Sequence, residues 1–344
     1  MKEEFKLSPP DTSTSLPPHW LGRPYYALDA YLKHKFGEKV YKISIDAGFT
    51  CPNRDGTLDT RGCIFCSAGG SGDFAVKINT STLCGDTLLS MEEQISRGLA
   101  VFGSKKTGSR FIAYFQAYTN TYGPVEYLEA IYTRALSHPK IAGISIATRP
   151  DCLPHEVLAL LASLKERYPE KELWVELGLQ TIHRHTADYI RRGYPLSCFD
   201  DACLRLQAIR IPVIVHIILG LPGETRQDML DTIAYINRCR PGGIKLQLLH
   251  VLKGTDLAAE YTAGKFSTLS KEAYVSIVTD CLTRLRPDIV IHRLTGDGSQ
   301  EMLLAPLWSR KKIEVLNALH RHLRETGSFQ GQYFDSRPES PDSE

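Results

Sequence analysis

The 344-residue sequence has no run of about 18 apolar residues, the length that a membrane-spanning helix needs. It also lacks an apolar signal segment and an Arg-rich amphipathic leader at its beginning. The formal net charge is only +2, so charge alone does not indicate a nucleic-acid-binding protein. We therefore expect a protein that does not bind membranes and that resides in the cytoplasm.

A disulfide framework is also missing. The nine cysteines are an odd number, and the chain is too long to be a small disulfide-stapled scaffold. This cysteine content is typical of a reducing compartment, where thiols remain free for metal binding or chemistry.

Short apolar runs alternate with amphipathic helical patterns along most of the chain. The runs are rich in Ile, Val, Leu and aromatic residues, which is typical of buried parallel strands. We predict strands at residues 41–46, 111–116, 141–147, 173–177, 212–219, 244–249 and 288–293. We predict helices at residues 90–102, 125–137, 154–167, 199–209, 225–239 and 271–284.

This alternation predicts an α/β fold. A partial TIM-type barrel of six or seven βα units and a doubly wound open sheet both give this local pattern. No Gly-x-Gly-x-x-Gly sequence follows the first strand, so we favour the barrel, with its site at the carboxyl ends of the strands.

The composition also suggests boundaries. Residues 1–20 and 334–344 are rich in Pro, Ser, Thr or acidic residues and are predicted to be disordered tails. The barrel is assigned to residues 21–295, and a C-terminal helical extension, with a basic amphipathic helix at 306–324, to residues 296–333.

Three cysteines follow the first predicted strand. Eleven residues separate Cys51 from Cys63, and two separate Cys63 from Cys66. Three thiolates can bind three irons of a 4Fe–4S cluster, which leaves the fourth iron open, whereas electron-transfer clusters usually have four protein ligands. The alternatives are a zinc knuckle, although no second Cys or His pair lies nearby, and three buried structural cysteines.

With these cysteines, the sequence resembles the radical S-adenosylmethionine (SAM) superfamily. Its commonest signature is Cys-x3-Cys-x2-Cys, and the longer first gap found here is known in the branch that holds the elongator-complex catalytic subunit. The resemblance extends over about residues 20–325 and is close to the YhcC/YtqA-type bacterial group. It implies that Cys51, Cys63 and Cys66 hold a 4Fe–4S cluster at which SAM binds.

The resemblance also implies a set of SAM-binding residues. The loop after the second strand offers Gln116 and Asn120 in place of the family's usual Gly-Gly-Glu. The fourth strand and the Arg-Gly loop after it resemble the family's pattern at Glu176, Gln180 and Arg192. The alternative for such charged residues is a salt bridge inside the protein.

A glycine turn completes this set. Gly220 and Gly223 in Gly-Leu-Pro-Gly-Glu-Thr after the fifth strand correspond to the family's adenine-binding turn. The alternative is an ordinary turn before a helix that Thr225 caps.

No catalytic residue is identified from the sequence, but four candidates lie at predicted strand ends. Cys152 is a candidate active-site thiol. Lys253, His292 and Arg293 are candidates for holding an anionic substrate.

The bacterial group that the chain resembles implies a function in tRNA wobble-uridine modification. The implied step converts 5-carboxymethylaminomethyluridine to 5-aminomethyluridine by radical SAM chemistry, with tRNA as partner and flavodoxin or ferredoxin as electron donor. Two alternatives stay open: a radical SAM enzyme that acts on a small metabolite or porphyrin, and a non-catalytic iron–sulfur or zinc regulatory protein.

Overall fold

The computed structural model describes residues 16–67, 69–70, 86–102, 108–296, 298 and 300–334. Its strands are β1 (Tyr41–Ile45), β2 (Phe111–Phe115), β3 (Ile141–Thr148), β4 (Glu172–Gln180), β5 (Val213–Leu219), β6 (Gly243–Leu248), β7 (Val251–Leu252), β8 (Val290–Arg293) and β9 (Leu303–Ala305). Its α-helices are α1 (Leu28–Phe36), α2 (Asp86–Phe102), α3 (Val125–Ser137), α4 (His155–Arg167), α5 (Arg184–Tyr189), α6 (Leu196–Ala208), α7 (Arg226–Cys239), α8 (Asp256–Thr262), α9 (Lys271–Arg284) and α10 (Lys312–Glu325).

Seven strands form one parallel sheet in the order β1-β2-β3-β4-β5-β6-β8. The strand order follows the chain without reversal, as it does in a βα barrel, whereas a doubly wound sheet reverses its order at a switch point. β1 and β8 form the two edges of this sheet, so the barrel is not closed by strand pairing. The partial barrel predicted from the sequence is confirmed.

The strands are apolar because helices cover their outer face. The main core lies between the sheet and the helices, and its side chains include Phe115, Tyr132, Leu161 and Phe199, each fully buried. Such two-sided burial explains why these strands read as continuous apolar runs and not as an alternation.

Helix α1 was not predicted, and it packs at the amino-terminal end of the barrel. Its Leu32 shares a buried cluster with Ile112, Trp174 and Ile214, which lie near the starts of β2, β4 and β5. Glu172 on β4 is also buried there and accepts hydrogen bonds from Tyr31, Lys35 and Trp174. This end of the barrel is therefore filled, and the opposite end is left for a site.

The described part of the chain begins before residue 21. Pro18–Trp20 form a 3-10 turn, and Trp20 is buried, while residues 1–15 of the predicted N-terminal tail lie outside the described residues. Of the predicted C-terminal tail, only residue 334 is described.

The C-terminal extension contains β9, which pairs with β7, and α10, whose Val315, Leu319 and Leu323 pack into the main core. The predicted amphipathic helix at 306–324 corresponds to a short 3-10 turn, Leu307–Arg310, followed by α10.

The two ends of the described chain meet at the edge strand β8. The backbone N–H of Ile291 donates to Tyr26 O at 2.7 Å, and Ala27 forms a parallel bridge with Ile291. The side chain of Gln330 accepts from the Tyr26 N–H at 2.9 Å and donates to the carbonyl oxygens of Arg286 and Ile289. These bonds cover the edge of β8 with the N-terminal segment, which Gln330 holds in place.

No α-helix within the described ranges is both long enough and apolar enough to cross a lipid bilayer.

Gly143 gives a test of the sheet packing. A Cβ at Gly143 would overlap with the backbone oxygen of its strand neighbour Glu172, so Gly143→Ala must push β3 and β4 apart. We expect Gly143→Ala to lower the free energy of unfolding by about 3 kcal/mol in urea denaturation.

The matched control is Gly37→Ala, at the end of α1. Gly37 has a φ of +73° and no atom within 4 Å of a built Cβ, so only backbone strain applies, at about 1 kcal/mol. Equal losses for the two variants would contradict the predicted steric overlap at Gly143.

Candidate active site

The three cysteines lie in the loop that follows β1, and all three thiols are free and half-buried. They line one cavity of about 150 Å³, which we call the cysteine cavity. The loop is fixed by polar contacts: Asn53 Nδ2 donates to Arg191 O at 2.8 Å, and Arg54 Nη2 donates to the carbonyl oxygens of Cys66 and Ser67 at 2.8 and 2.7 Å. The Asn53 bond holds the loop against the segment that follows β4, and the Arg54 bonds fix the loop internally.

The spacing of the three sulfur atoms distinguishes between the metal sites. Two sulfurs on one zinc ion lie at most about 4.6 Å apart, because each Zn–S bond is about 2.3 Å. Among the described residues, Cys51, Cys63 and Cys66 do not form a group whose ligand atoms all lie within 4.8 Å of one another. The arrangement therefore fits a cluster with one iron per cysteine better than a single zinc ion.

The protonation of Cys63 follows from its position. Burial raises the pKa of the Cys63 thiol to about 11, and the neighbouring Cys66 adds to this effect. The metal-free protein therefore carries a thiol at this position at neutral pH, and metal binding must displace its proton.

A second cavity of about 480 Å³ opens beside the first and shares Cys66, Gln116, Gln180 and His216 with it. We call it the large cavity. Its other lining residues include Lys42, Ser44, Gln247 and Arg293, together with apolar side chains such as Ile218 and Leu248. Cys66 thus links the proposed cluster directly to a space large enough for a small organic group.

A polar layer crosses the barrel interior below these cavities. Each of the seven strands contributes one side chain, and together they form the polar layer: Lys42, Tyr114, Ser145, Glu176, His216, Lys245 and Arg293.

Glu176 is the centre of the polar layer. Its Oε1 accepts from Lys42 Nζ at 2.6 Å and from Ser145 Oγ at 2.5 Å. Its Oε2 accepts from Lys245 and lies 2.6 Å from His216 Nε2. One carboxylate therefore balances two lysines that come from opposite sides of the barrel.

The ionisation of these groups is set by burial and by charge. Burial opposes ionisation of Glu176, but Lys245 and Lys42 outweigh it and hold its pKa well below the usual value. Burial lowers the pKa of Lys245 strongly, although Glu176 opposes the shift. Burial and the charge of Lys245 lower the pKa of His216 to about 4, so that imidazole is neutral at pH 7.

Two of the predicted SAM-binding residues lie where the cavities meet. Gln116 and Gln180 line both cavities, and Gln116 Nε2 donates to Ser44 Oγ at 2.8 Å. Gln180 has a left-handed backbone with a φ of +66°, and its Oε1 is buried with no hydrogen-bond partner within the described part of the chain. An acceptor that is buried and unsatisfied fits a hydroxyl or amine of a bound ligand.

Glu176 and Arg192 line the cysteine cavity, but their polar groups have partners inside the protein. Glu176 lies in the middle of β4 and not at its end, and its carboxylate is bonded to the polar layer. The Arg192 guanidinium donates to the backbone oxygens of Leu179, Thr181 and Tyr194. These contacts support the alternative for both residues, an internal structural role.

Three predicted SAM-binding residues do not line either cavity. Asn120 is fully buried and donates to the carbonyl oxygens of Ala117 and Ala147, so it shapes the loop after β2. Gly220 and Gly223 have φ values of +85° and +86°, which explains the glycines as turn residues, and Thr225 forms a capping box at α7. For Gly220 and Gly223, this geometry supports the alternative interpretation, an ordinary turn between β5 and α7.

The structure separates the four catalytic candidates. Arg293 at the end of β8 lines the large cavity. Cys152 is buried outside both cavities, and burial raises its pKa to about 12, which does not suit an active-site thiol. Lys253 is exposed, and His292 packs against Trp174 and Gly243, because its position on β8 turns it towards the filled end of the barrel.

The sequence analysis missed most of the polar layer, including Lys42, Tyr114, His216 and Lys245. Each is a polar or amphipathic residue inside an otherwise apolar strand. These residues could have been found from the sequence. A charged group at an inward-facing position on a buried strand is costly unless it is paired, so its presence there predicts a partner.

Comparison with known protein families gives two matches along the chain. The radical SAM superfamily matches residues 60–236, and the Radical_SAM C-terminal domain matches residues 241–325. The first match includes Cys63 and Cys66, and the second includes α10.

Two bacterial proteins are similar over nearly their whole length. YtqA of Bacillus subtilis is 44% identical over 310 residues, which cover 90% of this chain and 92% of YtqA. YhcC of Escherichia coli K12 is 34% identical over 296 residues, which cover 86% of this chain and 91% of YhcC.

Similarity to the elongator proteins is more distant. Elongator complex protein 3 of Homo sapiens is 26% identical over 182 residues, 52% of this chain and 31% of that protein. The solved structure of the archaeal Elp3 of Methanocaldococcus infernus superposes with a TM-score of 0.60 at 15% identity, over 85% of this chain and 64% of that one. This superposition shows a shared fold.

Glu176 provides a test of the polar layer. Glu176→Gln leaves Lys42 and Lys245 without their counter-charge, and the side chain of Lys245 is only 3% exposed. We expect a loss of about 3–5 kcal/mol in the free energy of unfolding, measured by urea denaturation.

The matched control is Glu172→Gln, a buried carboxylate on the same strand. Its partner Lys35 is 39% exposed and can turn to water, so the loss should stay near 1–3 kcal/mol. A loss for Glu176→Gln no larger than that of the control would contradict the central role of Glu176.

His216 predicts a pH dependence of stability. Its folded pKa of about 4 lies below the unfolded value of about 6.5, so the unfolded state binds the extra proton between these values. Stability should therefore fall as the pH drops from about 6.5 to about 4. Urea unfolding at several pH values should show a smaller drop in the free energy of unfolding for His216→Gln than for the unchanged protein. An identical drop in the two proteins would contradict the prediction.

Proposed function

The chain belongs to the radical SAM superfamily, and on this premise we propose that it modifies tRNA, converting wobble 5-carboxymethylaminomethyluridine to 5-aminomethyluridine. It is a radical SAM enzyme that uses a 4Fe–4S cluster and SAM. The observation that carries the proposal is the cysteine cavity, which opens through Cys66 into the large cavity at the carboxyl ends of the strands.

The cofactors supply one-electron cleavage of SAM to methionine and a 5′-deoxyadenosyl radical, which abstracts hydrogen from a substrate C–H bond. The chain's own residues bind and orient. Cys51, Cys63 and Cys66 would hold the cluster through their thiolates. Gln116 and Gln180, at the junction of the cavities, would hold SAM, and the buried Oε1 of Gln180 offers an acceptor to it.

Other residues keep this arrangement rigid. Asn53 bonds the cysteine loop to the Arg191 carbonyl oxygen in the segment after β4. Arg149, which follows β3, bonds the same segment at the Arg192 oxygen, and Arg192 bonds it internally at the Thr181 oxygen. Arg149 is also held by Asp151 through two bonds of 2.9 and 2.7 Å. Such a preorganised site limits the movement of reactive groups and the entry of water.

The substrate part of the proposal rests on the resemblance to the YhcC/YtqA group and to the elongator branch. The surface of α10 and of the turn before this helix supports that part of the proposal. Four basic side chains are exposed there and can contact phosphates: Arg310, Lys312, Arg321 and Arg324. His320 is used inside the protein, since its Nε2 lies 2.8 Å from the Tyr25 hydroxyl.

We extend the proposal to location and electron supply. All eight cysteines in the described ranges are free, which fits a reducing compartment such as the cytoplasm. A one-electron donor such as flavodoxin or ferredoxin would reduce the cluster there.

The test is anaerobic. The purified protein is reconstituted with iron and sulfide, reduced with dithionite and given SAM, and 5′-deoxyadenosine is measured with and without bulk tRNA from a strain that lacks the gene. We expect deoxyadenosine to rise several-fold with that tRNA, while the tRNA gains 5-aminomethyluridine.

The control variants separate the cluster from the fold. Cys63→Ala should lose bound iron and deoxyadenosine formation, whereas Cys239→Ala, a half-buried cysteine outside both cavities, should retain both. Deoxyadenosine that does not respond to tRNA would overturn the tRNA proposal and favour a small metabolite or porphyrin as substrate. Failure to bind or cleave SAM would favour a regulatory protein.

A further inference from the structure

Asn53 is a buried residue of the cysteine loop, two positions after Cys51. It is only 2% exposed, and its Nδ2 lies 3.6 Å from Cys63 Sγ, a distance that suits an N–H···S hydrogen bond. Its backbone oxygen accepts from the N–H of Gly62 at 2.7 Å. Asn53 therefore contacts the stretch that carries Cys63 through both its side chain and its main chain.

The segment after β4 determines which end of the Asn53 amide faces the sulfur. Nδ2 donates to Arg191 O at 2.8 Å and lies 3.5 Å from Arg192 O. If the amide were turned over, Oδ1 would face these two carbonyl oxygens, and acceptors would oppose acceptors. Oδ1 instead faces Gly193, where an added Cβ would lie only 2.7 Å from it. The N–H group of the amide, and not its oxygen, therefore points to Cys63.

Metal binding changes the hydrogen-bonding role of Cys63. As a thiol, Cys63 donates to Arg191 O, which lies 3.7 Å from Sγ. A cluster ligand is a thiolate, so binding releases the S–H proton to solvent and leaves two acceptors, Sγ and Arg191 O, side by side. The Asn53 amide has two N–H donors and lies within hydrogen-bond distance of both acceptors. It satisfies both of them once the proton has gone.

A hydrogen bond to a cluster ligand affects electron transfer. The reduction potential of an iron–sulfur cluster depends on its net charge, on its exposure to solvent and on hydrogen bonds to its sulfur atoms. An N–H donor stabilises the sulfur more as the cluster gains negative charge, because hydrogen bonds to charged groups are the stronger ones. The donor therefore favours the reduced state of the cluster.

Charged side chains near the cysteines also influence such a potential. Arg54 and Arg149 line the cysteine cavity, and Arg149 is paired with Asp151, which offsets part of its charge. Asn53 is neutral, so its substitution by another neutral residue leaves all of these charges in place. A change of potential in such a variant therefore reports on the hydrogen bond and not on the charge of the site.

We propose that Asn53 raises the reduction potential of the 4Fe–4S cluster through its N–H···S hydrogen bond to Cys63. The inference rests on the proposed function for the ligation of the cluster by Cys63, and it adds a residue that controls the electron-transfer step. In that step one electron from an external donor takes the cluster from the 2+ to the 1+ state. Asn53 acts through Cys63 and is therefore a positioning residue.

The test compares reduction potentials. The full chain and Asn53→Leu are reconstituted with iron and sulfide without oxygen and without SAM, and are reduced stepwise with dithionite. The EPR signal of the reduced cluster is recorded against the solution potential. Leucine branches at the same carbon as asparagine but has no N–H donor. We expect the equilibrium constant for reduction to fall about tenfold in Asn53→Leu, which lowers the potential by about 59 mV for one electron.

The matched control is Asn120→Leu. Asn120 is also buried, and its Nδ2 donates to the backbone oxygens of Ala117 and Ala147 at 3.0 Å each, but it lines neither cavity. The same substitution therefore removes two buried hydrogen bonds away from the cysteines. We expect Asn120→Leu to lose stability in thermal unfolding and to keep the potential of the unchanged protein.

Two further measurements separate a hydrogen bond from a packing effect. Asn53→Gln keeps an amide donor on a longer side chain and should recover part of the potential that Asn53→Leu loses. In protein that carries ¹⁵N in its asparagine side-chain amides, pulsed EPR of the reduced cluster should detect a ¹⁵N coupling. That coupling should vanish in Asn53→Gln, whose glutamine is unlabelled, and persist in Asn120→Leu.

The outcomes distinguish this inference from the proposed function. If Cys63→Ala loses its iron but Asn53→Leu keeps the potential of the unchanged protein, the inference is overturned and the cluster ligands stand. Equal shifts in Asn53→Leu and Asn120→Leu, or no ¹⁵N coupling in the unchanged protein, also overturn it. If Cys63→Ala retains its iron, the cluster ligands of the proposed function are wrong, and the inference fails with them. A lower potential in Asn53→Leu alone supports the inference, whether or not tRNA stimulates deoxyadenosine formation.

Discussion

The ion pairs of Glu176 are the interaction on which the interior of this barrel depends. A buried carboxylate is costly unless it is paired, and here it bonds to Lys42 on β1 and to Lys245 on β6. These two strands are far apart in the sheet order, so the carboxylate links the two sides of an open barrel. The apolar layer under α1 closes one end of the barrel, and this charged layer forms the floor of the site at the other end.

The cysteine loop and its surroundings are held in place by side chains that donate hydrogen bonds to backbone oxygens. Asn53, Arg149 and Arg192 bond to main-chain carbonyl groups at the end of β4 and in the segment after it. Side chains that look like ligand-binding groups in the sequence therefore act here as braces between loops. Gln116 and Gln180 line both cavities, and the buried amide oxygen of Gln180 has no hydrogen-bond partner within the described part of the chain.

The fold could largely be predicted from the sequence, because buried parallel strands leave long apolar runs. Helix α1 was missed although Leu28, Tyr31, Leu32 and Phe36 follow a helical spacing. The cysteines could be recognised because ligand spacing is local. Burial and hydrogen-bond partners are not local, so the sequence could not show that Arg192 was already occupied by carbonyl oxygens or that His216 and Lys245 would meet at Glu176.

The contact of Gln330 with the N-terminal segment also has a consequence for biosynthesis. Tyr26 and Gln330 are 304 positions apart in the sequence, and β8 lies between them, close to Gln330. The edge of β8 is therefore covered only after both of these distant segments have been made. Until then the nascent sheet carries an unpaired edge, a state in which strands readily pair with other chains.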